Sequence, residues 1–127
     1  MTEALRSNLS ALLVAETPEL AAQLTRDLVR LSAVVDEVRT HAEALARMQQ
    51  ARFDVLFVEL SPSTPIRGTE FIRQVVPMSR TISTIAISGS GSISETVEVM
   101  RAGASDVLPR RFDEEALKVV LERSLGS

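Results

Sequence analysis

"FDVLFVEL", residues 53–60, decides the fold. The run is apolar on successive positions and does not alternate with polar residues, as a strand covered on both faces would be. One acid, Glu59, stands at its exit. Working outward, the same pattern recurs along the chain. Residues 11–15, "ALLVA", read as a buried strand, and 17–31, "TPELAAQLTRDLVRL", as a helix with Leu20, Leu24, Leu28 and Leu31 at helical spacing. Thr17 suits the N-cap of that helix and Pro18 its first position. A weaker strand covers 33–39, "AVVDEVR". The helix "THAEALARMQQA" opens with Thr40 and Glu43 at capping-box spacing.

Past the central run, "SPSTPIRG" (61–68) reads as a loop, and "TEFIRQVV" (69–76) as a short helix stopped by Pro77. The β-branched stretch "TISTIAIS" (81–88) is a fourth strand. Ser92 and Glu95 repeat the capping-box spacing at the start of "SISETVEVMRAG", which Gly103 ends. "SDVLP" (105–109) is a fifth strand, and Asp113 caps a last helix with apolar face Leu117, Val120 and Leu121. Five βα units with short connections and unalternating strands predict one α/β domain: a doubly wound, flavodoxin-like three-layer sandwich on a parallel sheet in order 2-1-3-4-5. The expected boundaries are an N-terminal extension at 1–10, the domain at 11–125 and a C-terminal end at 126–127.

Composition narrows the function. The chain has 127 residues, 45% of them apolar, with four Phe and no Trp or Tyr, so the core must be aliphatic. The net charge of −3, with signs interspersed, offers no basic stripe for nucleic acid. No Cys is present, which excludes disulfides and thiolate metal sites. No apolar run is long enough to span a bilayer, and the start "MTEALRSNLS" is too polar for a secretory signal. A cytoplasmic domain is expected.

In such sheets ligands bind beyond the carboxyl ends of the strands. Those ends carry Ala15, Glu16 and Thr17 after strand one and Glu59 after strand three. Ser88 and Gly89 follow strand four, and Pro109, Arg110 and Arg111 follow strand five. Carboxylates there suit a hard cation held through oxygen. A hydroxyl and a guanidinium suit phosphate oxygens.

At these positions the chain resembles the response regulator receiver domain. The resemblance runs over most of 11–125. It rests on "LLVAE", "FDVLFVEL" and "IAISG", and above all on "VEVMRAGASDVLPRRFDEEAL", which is similar to the family's A-G-A-x-D…K-P-F stretch. The resemblance implies phosphoryl transfer from a histidine kinase to an aspartate after strand three. It also implies Mg²⁺ on an acid pair after strand one, a Ser/Thr and a lysine holding the phosphoryl group, and a mobile aromatic on strand five.

Carried over residue by residue, most of these positions depart from the family. The phosphoacceptor position is Glu59, one methylene longer than aspartate. Ala15 replaces one acid of the pair, leaving Glu16 and Glu59 to hold any Mg²⁺, weakly. Arg110 stands for the lysine, and Arg111 for a proline that is cis in the family, so this loop is expected to run trans. The switch position is Val107. Ser88, with Gly89 beside it, keeps the family's pattern. The implied molecule is a degenerate pseudo-receiver that needs no cofactor, with Glu59 reaching toward Ser88 or Arg110 in place of a phosphoaspartate. A simple ion pair of Glu59 with Arg110 is the plainer alternative.

The expected function is a phosphorylation-independent interaction module, not an enzyme. Its protein partner would be a histidine kinase, an output domain or an ATPase domain. The face of helix four, strand five and helix five carries Glu98, Arg101, Asp106, Arg111, Lys118 and Glu122, and two readings stay open for it: a homodimer interface, or plain solvated surface. Two other functions also stay open: a working phosphorelay receiver with an unusual acceptor, and the pseudo-receiver of a pilus-assembly or secretion ATPase. "LERSLGS" lies just past the fifth helix, so no output domain is expected within this sequence, and the domain is expected to be either free-standing or a piece of a longer protein. "SGSGS" (88–92) lacks the Lys of a P-loop, so nucleotide binding by that route is not expected. His41, with no second His or Cys, reads as a surface residue, and Met48, Met78 and Met100 as core filler.

Overall fold

A computed structural model describes residues 9–125; residues 1–8 of the extension expected at 1–10, and the C-terminal end at 126–127, lie outside the described residues. Strands β1 (Leu9–Val14), β2 (Ala33–Val38), β3 (Val55–Glu59), β4 (Ser83–Ser88) and β5 (Asp106–Pro109) alternate with helices α1 (Pro18–Arg30), α2 (His41–Gln50), α3 (Pro65–Val75), α4 (Ile93–Ala102) and α5 (Glu114–Leu125). The sheet order is β2-β1-β3-β4-β5 and every pairing is parallel. This is the flavodoxin-like arrangement expected from the sequence. β1 pairs with β3 in register Ala11 to Val55 and Val14 to Val58, so their ends lie side by side at one rim.

Every residue of β3 is buried, which is why "VLFVE" shows no alternation. Strand parity sorts its side chains onto two faces. Val55 and Phe57 join Leu13, Ile85, Ile87 and Leu108 beneath α1 and α5, which supply Leu20, Leu24, Leu28, Leu117, Val120 and Leu121. Leu56 and Val58 join Leu12, Val14 and Ala86 on the other face, beneath Ala44 of α2, Phe71 and Ile72 of α3, and Val99 of α4. This parity carries on to the rim and decides what each functional side chain meets.

Several local expectations need correction. β1 begins at Leu9, two residues before the expected start. α3 begins at Pro65, inside the stretch read as a loop. Proline is compatible with a helix's first position, and the second proline of "SPSTP" therefore starts the helix. Gly68 sits within that first turn because a Cβ there would lie 2.6 Å from Leu60 Cδ2. Met78 and Met100 are exposed at 55% and 44%, not core filler, whereas Met48 packs against the core. The capping box of Thr40 and Glu43 is fully formed, Asp113 accepts from the Ala116 N–H at 2.8 Å, and Gly103 ends α4 in the left-handed region at φ +117°.

Candidate functional site

Glu59 is the last residue of β3 and shares the parity of Val55 and Phe57, so its side chain turns toward α1 and the end of β5. The carboxylate side chain is only 3% exposed. A buried charge is tolerable only when hydrogen-bonded and paired. Here Oε1 accepts from the backbone N–H groups of Glu16 (2.7 Å) and Thr17 (3.1 Å). Oε2 accepts from the Thr17 hydroxyl at 2.5 Å and pairs with Arg110 Nη1 at 2.6 Å. Burial is the largest single influence on this group and favours its neutral form. The Thr17 hydroxyl and amide, the Arg110 guanidinium and the Glu16 amide together outweigh burial and hold the carboxyl below its ordinary value.

The sequence assigned Thr17 to capping α1, but its hydroxyl caps nothing. It donates to Glu59, a charge-assisted bond that sets its rotamer, and its oxygen faces Arg110 Nη1 rather than the helix amides. Proline at the first position of α1 already removes one N–H that would need a cap.

Arg110 follows β5 and is tied at several points. Its backbone N–H donates to the Ser88 carbonyl at 2.8 Å, and Nη2 to the Leu60 carbonyl at 3.2 Å. Nη1 also lies 3.4 Å from Thr17 Oγ1. Gly89 lets the side chain through, since a Cβ on Gly89 would sit 2.9 Å from Arg110 Nε. That Nε is buried and has no partner. No described peptide bond is cis, so the bond before Arg111 is trans, as expected where proline is missing. Arg111 itself is exposed.

Ser88 is close in sequence to Arg110's anchor but belongs to the other parity, that of Ala86, and so faces α4. Its hydroxyl, 3% exposed as a residue, donates to the Glu95 carboxylate of α4's first turn. Of the two partners foreseen for Glu59, the structure brings Arg110 and not Ser88. Glu95 explains why its capping box is half-formed. Its N–H donates to Ser92 Oγ at 3.1 Å, but its carboxylate turns to Ser88 and, at 2.8 Å, to Ser90. Spacing alone could not separate these two uses of one acid.

The remaining candidates lie apart from this network. Glu16 contributes its amide to Glu59 while the residue is exposed. Ala15 is 5% exposed and packs in the α1–α5 core, offering no oxygen. Among the described residues no three His, Cys, Asp or Glu side chains gather as a metal ligand set. Val107 is half-buried against the α2–α4 core. Asp106 is buried and pairs with Arg123 of α5 at 2.8 Å, so it is engaged within the chain. Glu98 and Arg101 are exposed, and Lys118 and Glu122 half-buried. His41 is not a plain surface residue. Its ring stacks on Phe71 with centroids 4.3 Å apart and planes 9° from parallel. Burial first, then Arg67, holds its pKa below the ordinary value, while Glu16 pulls the other way.

A family profile, Response regulator receiver domain, matches residues 11–122. The chain belongs to this family. Transcriptional regulatory protein CutR of Streptomyces coelicolor is 31% identical over 102 residues, covering 80% of this chain and 46% of that protein. CutR of Streptomyces lividans matches equally well. The chain thus spans about half the length of these curated relatives. Among solved structures, a response regulator from Chloroflexus aurantiacus superposes with a TM-score of 0.85 at 22% identity, over 95% of this chain and all of that one. Chemotaxis protein CheY4 of Vibrio cholerae gives 0.83 at 25% identity, over 94% of this chain and 100% of that one. NtrX from Brucella abortus gives 0.83 at 20% identity over 93% of this chain and 26% of that one. The receiver domain is a module of two-component signalling, and no described helix is long and apolar enough to cross a membrane.

Proposed function

We propose that this receiver is held in a single state without phosphate and acts as a protein-docking module. One observation carries the reading: the carboxylate at the acceptor position is already bound on both oxygens. Oε2 of Glu59 has Arg110 and the Thr17 hydroxyl, and Oε1 has two amides. Attack on a phosphodonor needs a free oxygen in line with phosphorus, and a displacement of ~1 Å costs on the order of a hundredfold in such positioned reactions. Extracting an oxygen from Arg110 would strand a buried charge. The Glu59–Arg110 pair thus stands where the family places a phosphoaspartate beside a lysine, and holds the two strand ends together permanently.

The residues present do not fit Mg²⁺, which demands near-octahedral oxygen ligation. Ala15 supplies none, and Glu59's lone pairs point at nitrogen and hydroxyl donors. In this reading the partner is an output domain, a kinase or an ATPase domain. The docking face is α4, β5 and α5, with Glu98, Arg101 and Arg111 as its free charges and Asp106 withdrawn by Arg123. A second copy of the chain would use the same face.

A beryllofluoride titration with Mg²⁺, followed by amide shifts, tests the reading. Residues 16, 59, 88 and 110 are expected to stay unmoved. A saturable displacement of all four signals would show a functional phosphoryl pocket and overturn the proposal.

A further inference from the structure

The first half of α4 has little apolar anchorage. Of the helix's ten residues only Val99 and Ala102 are buried, and both lie in its second half. Residues 93–98 are exposed or half-buried. A polar tie joins them to the sheet. The Glu95 carboxylate accepts from the Ser88 hydroxyl at the end of β4 and from Ser90 at 2.8 Å, while the Glu95 N–H donates to Ser92 Oγ at 3.1 Å. We propose that the Ser88–Glu95 bond is a latch that fixes the first turns of α4, and with them an apolar ridge that this helix offers to a partner.

The ridge is made of Ile93, Val97 and Met100, which are exposed at 83%, 40% and 44%. At spacing i, i+4 and i+7 they line one side of the helix, opposite Val99 and Ala102. The other exposed large apolar side chains of the described residues stand singly on separate elements. Only α4 sets three in a row. Ile93 and Val97 belong to the turns that Glu95 ties down. A ridge that is already fixed binds a partner without first being ordered, and a loosened one loses that advantage.

Ser88 suits this role by its place. The residue is 3% exposed and ends a strand that is paired on both sides, so its hydroxyl is a fixed point. That hydroxyl donates to Glu95 and accepts from the Gly91 N–H at 3.4 Å, which uses it in both directions. A bond to a carboxylate is roughly twice as strong as one between neutral groups. Glu95 is half-buried, so water competes for it less than for a free surface acid. The position of α4 is thus set within the corner between β4 and α4, with no step through the Glu59 pocket. The inference takes from the docking reading only that α4 belongs to the partner face; the latch itself is measurable with no partner present.

Amide hydrogen exchange tests the latch through a substitution outside α4. In Ser88→Ala the N–H groups of Thr96, Val97, Glu98 and Val99 should exchange on the order of tenfold faster than in the parent, and those of α2, on the same face of the sheet but away from Ser88, should keep their rates. Glu95→Ala removes the same bond from the other side and should speed the same α4 amides by a similar factor. Because the two variants delete one bond, the double variant should exchange no faster than the faster single one. Unchanged exchange in α4, an equal acceleration of α2 and α4, or a multiplied effect in the double variant, on the order of a hundredfold, would each overturn the latch. The exchange is measured without Mg²⁺ or a phosphodonor, so its outcome does not depend on Glu59, which the beryllofluoride titration tests separately.

Discussion

If Glu59 and Arg110 hold each other as the structure shows, the two side chains must be energetically coupled, and a double-mutant cycle with Glu59→Gln and Arg110→Met measures by how much. Gln keeps the shape of Glu59, and its carbonyl oxygen can still accept from the Glu16 and Thr17 amides. Met keeps most of the stem that passes Gly89 but donates nothing. The changes thus fall mainly on the ion pair, as the cycle requires. Two unit charges ~4 Å apart attract by about 4 kcal/mol at an effective dielectric of about 20. Exposed pairs yield only about 0.2–1 kcal/mol, while stranding one partner of a buried pair costs about 3–5 kcal/mol. Glu59 belongs to the buried class at 3% side-chain exposure, but Arg110 is 23% exposed and can regain some water. We expect each single variant to lose about 2–3 kcal/mol and the coupling to be about 2 kcal/mol. Urea unfolding followed by circular dichroism reads both. With a slope of about 1–3 kcal/mol per molar urea, the single variants should shift the midpoint by roughly 1 M or more. A coupling below about 0.5 kcal/mol, the range of solvated pairs, would refute the claim that the two groups lock each other.

Other perturbations of the same network should behave predictably. Thr17→Val removes the hydroxyl that reaches Glu59 while keeping the side chain's shape, and should cost about 1.5 kcal/mol in the same urea assay, with Thr17→Ser costing less. Gly89→Ala places a methyl group against Arg110 Nε and should displace the guanidinium; calorimetry should show a melting temperature lowered by a few degrees, about 1 kcal/mol. The folded-state pKa of Glu59 is depressed, so its stabilisation is present above the unfolded glutamate value of about 4.3 and is lost as pH falls through the lower folded value. Melting curves of the parent and Glu59→Gln should therefore differ most above about pH 5 and converge as pH falls below the ordinary glutamate range.

The β3 segment shows what a sequence can reveal. A strand covered on both faces cannot alternate, so its run of apolar residues dictated parallel pairing, helices on both sides and a rim at the strand ends. Even the residues of the rim follow from counting. The site's internal wiring was less visible. Glu59 and Ser88 end neighbouring strands, yet they point to opposite faces, which only the paired register of β3 and β4 reveals. Thr17 and Glu95 stand at perfectly ordinary capping positions. A cap uses a hydroxyl's lone pair and a carboxylate its proton, and the rotamer of Thr17 is set by a residue more than forty positions away. The start of α3 was missed because proline ends a helix or begins one, and "SPSTPIRG" allows either reading.

The measurement closest to the central claim is the intact mass of the protein after incubation with acetyl phosphate and Mg²⁺. The parent should remain unmodified. An adduct of one phosphoryl group per chain, mapped to Glu59, would contradict the account.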